Sequence, residues 1–388
     1  MSGLSAPLAA EWSLIRVACS DLPGEAQAAR IHELLGPQIR WDALVHLAEH
    51  HGVQSIVARA LWNVRDVPAE ALHTLKQNYQ SNLHKALFLS RELARIVQCL
   101  SQAGIEFLPY KGLTLAETLY GDIAFRQAGD IDLLIHAADL KRVRHAIAKL
   151  GYTPHVKLSE DEEDAYLKSG YECAFDGALG KNLLEVQWAV QPRFYAVDLD
   201  MEALFRRGQA ATVAGVEVKL LSAEDLFLLL ALHAAKHVWE KLIWICDLAR
   251  LSQLPTLDWN WICGKARQLG TERIVRITLE LAQRLLACSI PSSIEQRLSE
   301  DRAAGPLAEE IEGYLANGTT YKVESLAYFR RMLELRERRI DRTRFITRFV
   351  CTPGPGEWAI AQLPKPLFPV YRALRISRLA ARLVVGRI

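Results

Sequence analysis

The chain has 388 residues, 50% hydrophobic and 24% charged, with mean hydropathy of +0.03 and a net charge of +2. This is an ordinary globular composition, long enough for two or three domains, and it excludes a chain dominated by disorder. The first residues lack a compact apolar stretch behind a basic start, and the longest apolar run, LFLLLALHAA, is too short to span a bilayer. The expectation is a soluble, cytoplasmic protein without stable membrane insertion. Seven cysteines, at 19, 99, 173, 246, 263, 288 and 351, are scattered with no close pair, so they read as reduced, packed thiols.

Helical periodicity runs almost unbroken from residue 6, as in WDALVHLAEHHGVQSIVARALW and LHKALFLSRELARIVQCLSQAG, where Gly104 is a helix stop. This predicts a helical N-terminal region over 1–103. From IEFLPYKG onward strand and helix signals alternate: helix LTLAETLY, strand IDLLI, helix ADLKRVRHAIAKLG, strands YECAF and NLLEVQW, and a hairpin AATVAGVEVKLL turning at Ala-Gly. That is a mixed sheet core over 104–221, interrupted at 159–166 by SEDEEDAY, which reads as a solvated surface loop. Ser222, with Asp225 three residues on, opens a helical domain over 222–350. A Pro/Gly break, CTPGPGEW, leads into a basic amphipathic segment over 351–388. From Leu326 to Ile388 fourteen Lys and Arg stand against four Asp and Glu, a local +10 that leaves −8 for residues 1–325. The basic end suits RNA, anionic lipid, an acidic partner, or the acidic remainder of the same chain.

The chemistry concentrates in GDIDLLI. On a strand, Asp130 and Asp132 point to one face with Cα atoms about 6.5 Å apart, where they can share a hard cation. An isolated Asp-x-Asp is often a cap or a solvated turn, but three neighbours argue for a site. Lys111-Gly112 passes from strand to helix, placing an unobstructed glycine at a helix N-terminus that favours phosphate. Arg126 lies between the two elements, its fork suited to a phosphate or to one of the aspartates. Glu185 sits inside a second apolar strand, where an acid is costly unless it faces the same cation.

Further on, His233, His237, Glu240, Trp244 and Asp247 recur at helical spacing. They could border a nucleotide, with Lys236 or Lys241 reaching its phosphates, or form a polar seam between domains, with Asp247 paired to Arg250. Trp239, Trp244, Trp259 and Trp261 read as core. The two histidines have zinc spacing but no third ligand nearby.

The order Lys-Gly, Tyr-Gly-Asp, Arg, Gly-Asp-Ile-Asp-Leu-Leu, then a strand with acid-apolar-polar-Trp, resembles the nucleotidyltransferase-fold superfamily to which DNA polymerase beta-like proteins belong. Within it, the chain is most similar to a bacterial family of uncharacterised nucleotidyltransferases. LHAAKHVWEKLIWICDLARL and EWAIAQLPKPLFPVYRALRISRL extend the likeness over most of the chain. The resemblance implies an α+β fold, Asp130, Asp132 and Glu185 as metal ligands and catalytic carboxylates, and Gly112, Lys111 and Arg126 around the triphosphate. It also implies two Mg²⁺ ions, or Mn²⁺ in their place, and transfer of NMP from an NTP, by default ATP, to a hydroxyl or phosphate on a peptide, saccharide or RNA. Leu113 stands where the superfamily commonly has Ser or Gly after the glycine, and Gln187 where the family often has His. Those departures keep a non-catalytic nucleotide-binding module open, alongside an Asp-x-Asp glycosyltransferase. Three converging carboxylates should repel without metal, so Asp132→Asn is expected to leave metal-free stability unchanged or raised.

Overall fold

The computed structural model describes residues 8–156, 160–178, 180, 182–298, 301–319, 321, 325–353, 357, 363 and 365–384. Four helices open the chain: α1 (Ala9–Cys19), α2 (Gly24–Leu34), α3 (Trp41–His50) and α4 (Gln54–Leu61). They bury aliphatic stripes such as Leu44, Leu47 and Ala48 at helical spacing. The long α5 (Ala69–Gln102) then joins two cores. Ala71 and Leu75 belong to the helical core, while Leu89, Leu93, Ile96 and Leu100 pack beneath the sheet. It stops where Gly104 takes a φ of +61°.

The sheet contains β1 (Phe107–Pro109), β2 (Asp130–Ile135), β3 (Thr153–Pro154), β4 (Glu172–Asp176) and β5 (Leu183–Gln187), in the order β1-β2-β5-β4-β3. β2 and β5 run parallel and the other neighbours antiparallel. Three helices connect these strands: α6 (Gly112–Tyr120), α7 (Leu140–Ala148) and α8 (Glu160–Ser169). Period-two alternation sends Ile131, Leu133 and Ile135 to the face covered by α5 and α7. Asp130, Asp132 and Leu134 go to the other face, where Leu134 meets Leu108 and Leu229. After α9 (Met201–Arg207), β6 (Gln209–Val213) and β7 (Val216–Leu220) form the expected hairpin. Its turn has Ala214 at φ +53° and Gly215 at +73°, the backbone that a tight two-residue turn demands.

Ser222 caps α10 (Ala223–Lys236), its Oγ accepting from the Asp225 amide at 3.3 Å. The chain stays helical through α11 (Leu242–Ser252), α12 (Trp259–Leu269), α13 (Glu272–Leu286), α14 (Ser292–Leu298), α15 (Ala304–Ala316), α16 (Leu326–Glu334), α17 (Arg339–Cys351) and α18 (Val370–Val384). Helices from before residue 103 and after residue 222 share one core, from Trp12 and Leu14 to Leu281 and Ile311. His51 fastens this junction: one ring nitrogen lies 3.1 Å from the Leu315 carbonyl, and its own carbonyl accepts from the Ile243 amide at 3.1 Å.

The acidic stretch differs from its reading as a solvated loop. From Glu160 it forms α8, where Glu163 is buried in an ion pair with Arg144 of α7 and Asp164 pairs with Lys141 at the surface. Parts of CTPGPGEW and of the basic segment lie outside the described residues. None of the seven cysteines is in a disulfide, and among the described residues no helix is long and apolar enough to cross a membrane.

The loop between α6 and β2 is pinned to the helical domain by Arg126. Its Nε and Nη2 donate to both oxygens of Asp247 on α11 at 2.9–3.0 Å, and its Nη1 to the carbonyls of Gly112 and Gln127 at 3.2 and 3.4 Å. Asp247 therefore pairs with Arg126 rather than Arg250, whose guanidinium lies over the Tyr120 ring at 4.3 Å. Arg126→Ala leaves Asp247 buried without a counter-charge and should cost about 3–5 kcal/mol in urea unfolding. A loss near zero would show that the pair does not hold the loop in solution.

Candidate active site

β2 and β5 run side by side with Asp132 directly opposite Glu185, and β4 brings Glu172 opposite Gln187. Residues opposite each other share a face, so Asp130, Asp132, Glu185, Gln187 and Glu172 converge on the face that lacks α5 and α7. Gln187, only 1% exposed, sits among them. Its Nε2 donates to Asp132 at 3.2 Å, Glu185 at 3.1 Å and Glu172 at 3.4 Å, while Tyr110 donates its hydroxyl to the amide oxygen. Lys111 Nζ adds an ion pair to Asp132 at 3.1 Å and lies over the Tyr110 ring at 4.8 Å. Burial opposes the charge on Lys111, but Asp132 and Tyr110 outweigh it and raise its pKa.

Asp130 and Glu185 have no such cation. Burial first, and Asp132 second, push Asp130 up to about 6 and Glu185 up to about 8, with Glu172 adding to the latter. The expectation about Asp132→Asn therefore needs correction. Asp132 is the counter-ion of a buried lysine, and the uncompensated charge sits on Glu185.

Gly112 begins α6 with a φ of +50°, and no side chain caps that end. A Cβ there would meet the Asp130 carbonyl oxygen at 2.9 Å, so the corner accepts only glycine. Leu113 turns away into the core at 3% exposure. The acids and Gly112 line a cleft of about 500 Å³ whose far wall is the end of α10 and the start of α11.

That wall carries the remaining expected residues. Lys236 lies over the Tyr171 ring at 4.9 Å and donates to its hydroxyl at 3.3 Å, with burial lowering its pKa. Lys241 lines the cleft at the head of α11. Burial keeps His233 and His237 neutral, His237 at about 3, so neither supplies charge. Their rings stand 5.0 and 5.3 Å from Trp244, which opens onto the cleft, whereas Trp239 is fully core. Arg126 borders the cleft, but its fork is taken by Asp247. Among the described residues no three His, Cys, Asp or Glu side chains are already gathered as a metal cage. The Lys111 ammonium and Gln187 amide lie between the acids instead.

Two residues escaped the sequence reading. Glu172 reaches the site only through the antiparallel register of β4 on β5, which YECAF does not announce. Gln187 stands out as a departure in the motif, without a hint that it touches three acids. A mixed sheet presenting carboxylates from neighbouring parallel strands, beside a strand–glycine–helix corner and under a helical wall, is a nucleotidyltransferase-type fold. The chain belongs to the family described as uncharacterised nucleotidyltransferase, which matches it over residues 37–287, more than half its length. No curated protein and no solved structure matches it.

The raised pKa of Glu185 predicts a pH effect. A carboxyl that holds its proton more tightly folded than unfolded stabilises the fold below the unfolded value, near 4.3, and that contribution is lost as pH rises through about 8. In metal-free buffer Glu185→Gln should melt close to wild type near pH 5 and above it near pH 9. Melting curves with the variant lower at the alkaline end would refute the repulsion.

Proposed function

We propose that this cleft is a metal-dependent nucleotidyl-transfer site, moving NMP from an NTP, by default ATP, to an acceptor hydroxyl or phosphate. The observation that carries this reading is the convergence of Asp130, Asp132 and Glu185 from two paired strands beside Gly112. The donor set fits Mg²⁺, or Mn²⁺: all the donors are hard oxygens, the raised proton affinities of Asp130 and Glu185 mark an unbalanced negative charge, and Gly112 leaves open the space a Cβ would fill. Divalent ions bound there would supply Lewis-acid stabilisation of charge on the transferred phosphate.

The rest falls to the chain's own groups. The uncapped start of α6 offers backbone N–H donors to a phosphate, and Lys236 and Lys241 face it from the opposite wall. Lys111 pairs with Asp132 and holds it in place. Glu185, with a proton affinity close to neutrality, is suited to take the acceptor's proton on its carboxylate. The Trp244 ring, flanked by neutral His233 and His237, offers a flat wall to the base. Peptide, saccharide and RNA acceptors each present the needed hydroxyl, and assembly of peptide natural products or exopolysaccharides is the setting this reading proposes. An Asp-x-Asp sugar-nucleotide site would leave Gly112 and Glu185 without a role.

Pyrophosphate release from each NTP with Mg²⁺ and candidate acceptors tests the proposal. Asp130→Asn, which breaks no ion pair, should lower turnover at least about a hundredfold. Lys236→Ala should weaken NTP binding about tenfold, as loss of a charge-assisted contact does. Unchanged turnover in the first variant removes the metal assignment, and unchanged affinity in the second returns Lys236 to a structural role.

A further inference from the structure

Exposed large hydrophobic side chains are unevenly distributed among the described residues. Leu326, Ile340, Ile346, Leu367, Val370 and Ile376 follow residue 325, whereas Leu87, Val156 and Tyr314 are the exposed ones elsewhere. The same end of the chain carries the local +10, and from residue 358 to the terminus it contains no Asp or Glu.

α18 shows why these features belong together. Its polar side is turned inward: Arg375 donates Nε to the Phe349 carbonyl at 2.7 Å, and Arg375 and Arg378 both reach Glu357, at 3.3 and 2.8 Å. Tyr371 is buried beside them. The outward side is consequently mostly apolar, with Val370 and Ile376 at 43% and 48% exposure, Ala373 between them, Ser377 and Ala380 after them, and Leu367 at 48% just before the helix. Arg372 is exposed on this helix, as Arg339 is on the neighbouring α17. Two of its arginines are tied inward to Glu357 while Val370 and Ile376 stand outward, the reverse of the usual arrangement of a helix in water.

We propose that this face of α18 docks on an anionic lipid surface. Val370, Ile376 and Leu367 enter the headgroup–acyl boundary, and Arg372 meets lipid phosphates. A nucleic acid would need a row of free cations, but Arg338, Arg348, Arg375 and Arg378 are held by acids of this chain. A two-fold contact of this face with itself would set like charges together.

Vesicle flotation of the full chain tests the proposal, comparing phosphatidylcholine alone with vesicles carrying about a third phosphatidylglycerol. The chain should float with the anionic vesicles and not with the neutral ones. Binding should fall about tenfold or more on raising salt from roughly 0.05 to 0.5 M, and by a similar factor in Ile376→Asp and in Arg372→Glu. Both positions are exposed, and unchanged melting of each variant would show that the fold is kept. Absence of flotation with anionic vesicles at low salt overturns the proposal, as does undiminished binding by both variants. A chain that does not float but forms a dimer dissociated by Ile376→Asp assigns the face to a second copy and equally overturns it.

Discussion

A guanidinium with its donors distributed over three segments sets the geometry of this molecule. Arg126 lies in the loop between α6 and β2, four residues before Asp130, and binds Asp247 on α11, the carbonyl that opens α6 and a carbonyl of its own loop. Tyr120 adds its hydroxyl to Asp247 at 2.8 Å, and Asn82 of α5 donates to the Ala124 carbonyl at 2.7 Å. A nine-residue connection that would otherwise be free is held from α5, α6 and α11 together. The start of β2 is thus placed against the helix that carries Lys241 and Trp244. A buried pair of this kind gains little net stability, because desolvation cancels much of the attraction, but it is costly to break. Its effect is to fix where two walls of a cleft stand relative to each other.

Within that frame the charges do not balance. Lys111 compensates Asp132, while Glu185 and Glu172 draw on one side-chain amide and Asp130 has neither that amide nor the lysine. Gln187 has two N–H bonds and three carboxylates within reach, so it cannot satisfy them all. Tyr110 holds the amide oxygen and thereby orients the donors towards the acids. The excess is expressed as proton affinity, with Glu185 and Asp130 lifted towards neutrality. A divalent cation, as proposed above, would answer the same excess with these carboxylates as its ligands. The resting arrangement is compatible with such a site because its negative charge is incompletely answered by the protein.

The parts of this site legible in the sequence are those set by local period. Asp130 and Asp132 share a face because strands alternate, Glu185 stands out as an acid in an apolar strand, and Gly112 marks a strand-to-helix corner. Glu172 was not legible, since its place depends on how β4 pairs with β5. The Arg126–Asp247 pair spans 121 residues, and the helical spacing of Asp247 suggested only a local partner, Arg250. The acidic stretch at 159–166 misled for the same reason: its charges suit water or a basic helix equally until α7 is known to lie beside it. Fold class was easier to read than these contacts because it depends on the succession of helix and strand signals, each local.

The cation-bearing wall of the cleft depends on a strained turn. α10 ends at Lys236, α11 begins at Leu242, and between them Val238 and Trp239 take φ values of +51° and +48°. Neither residue is glycine, and such conformations cost on the order of 1–3 kcal/mol each. Trp239 supplies the compensation: it is 0% exposed, and its indole N–H donates to Thr278 on α13 at 3.1 Å. Burying a side chain of that size contributes on the order of 2–3 kcal/mol, enough to hold much of the strain. The turn then sets Lys236, His237, Glu240 and Lys241 along the cleft within six residues. The helical core therefore acts on the cleft through one buried indole, much as the sheet acts on it through one buried guanidinium.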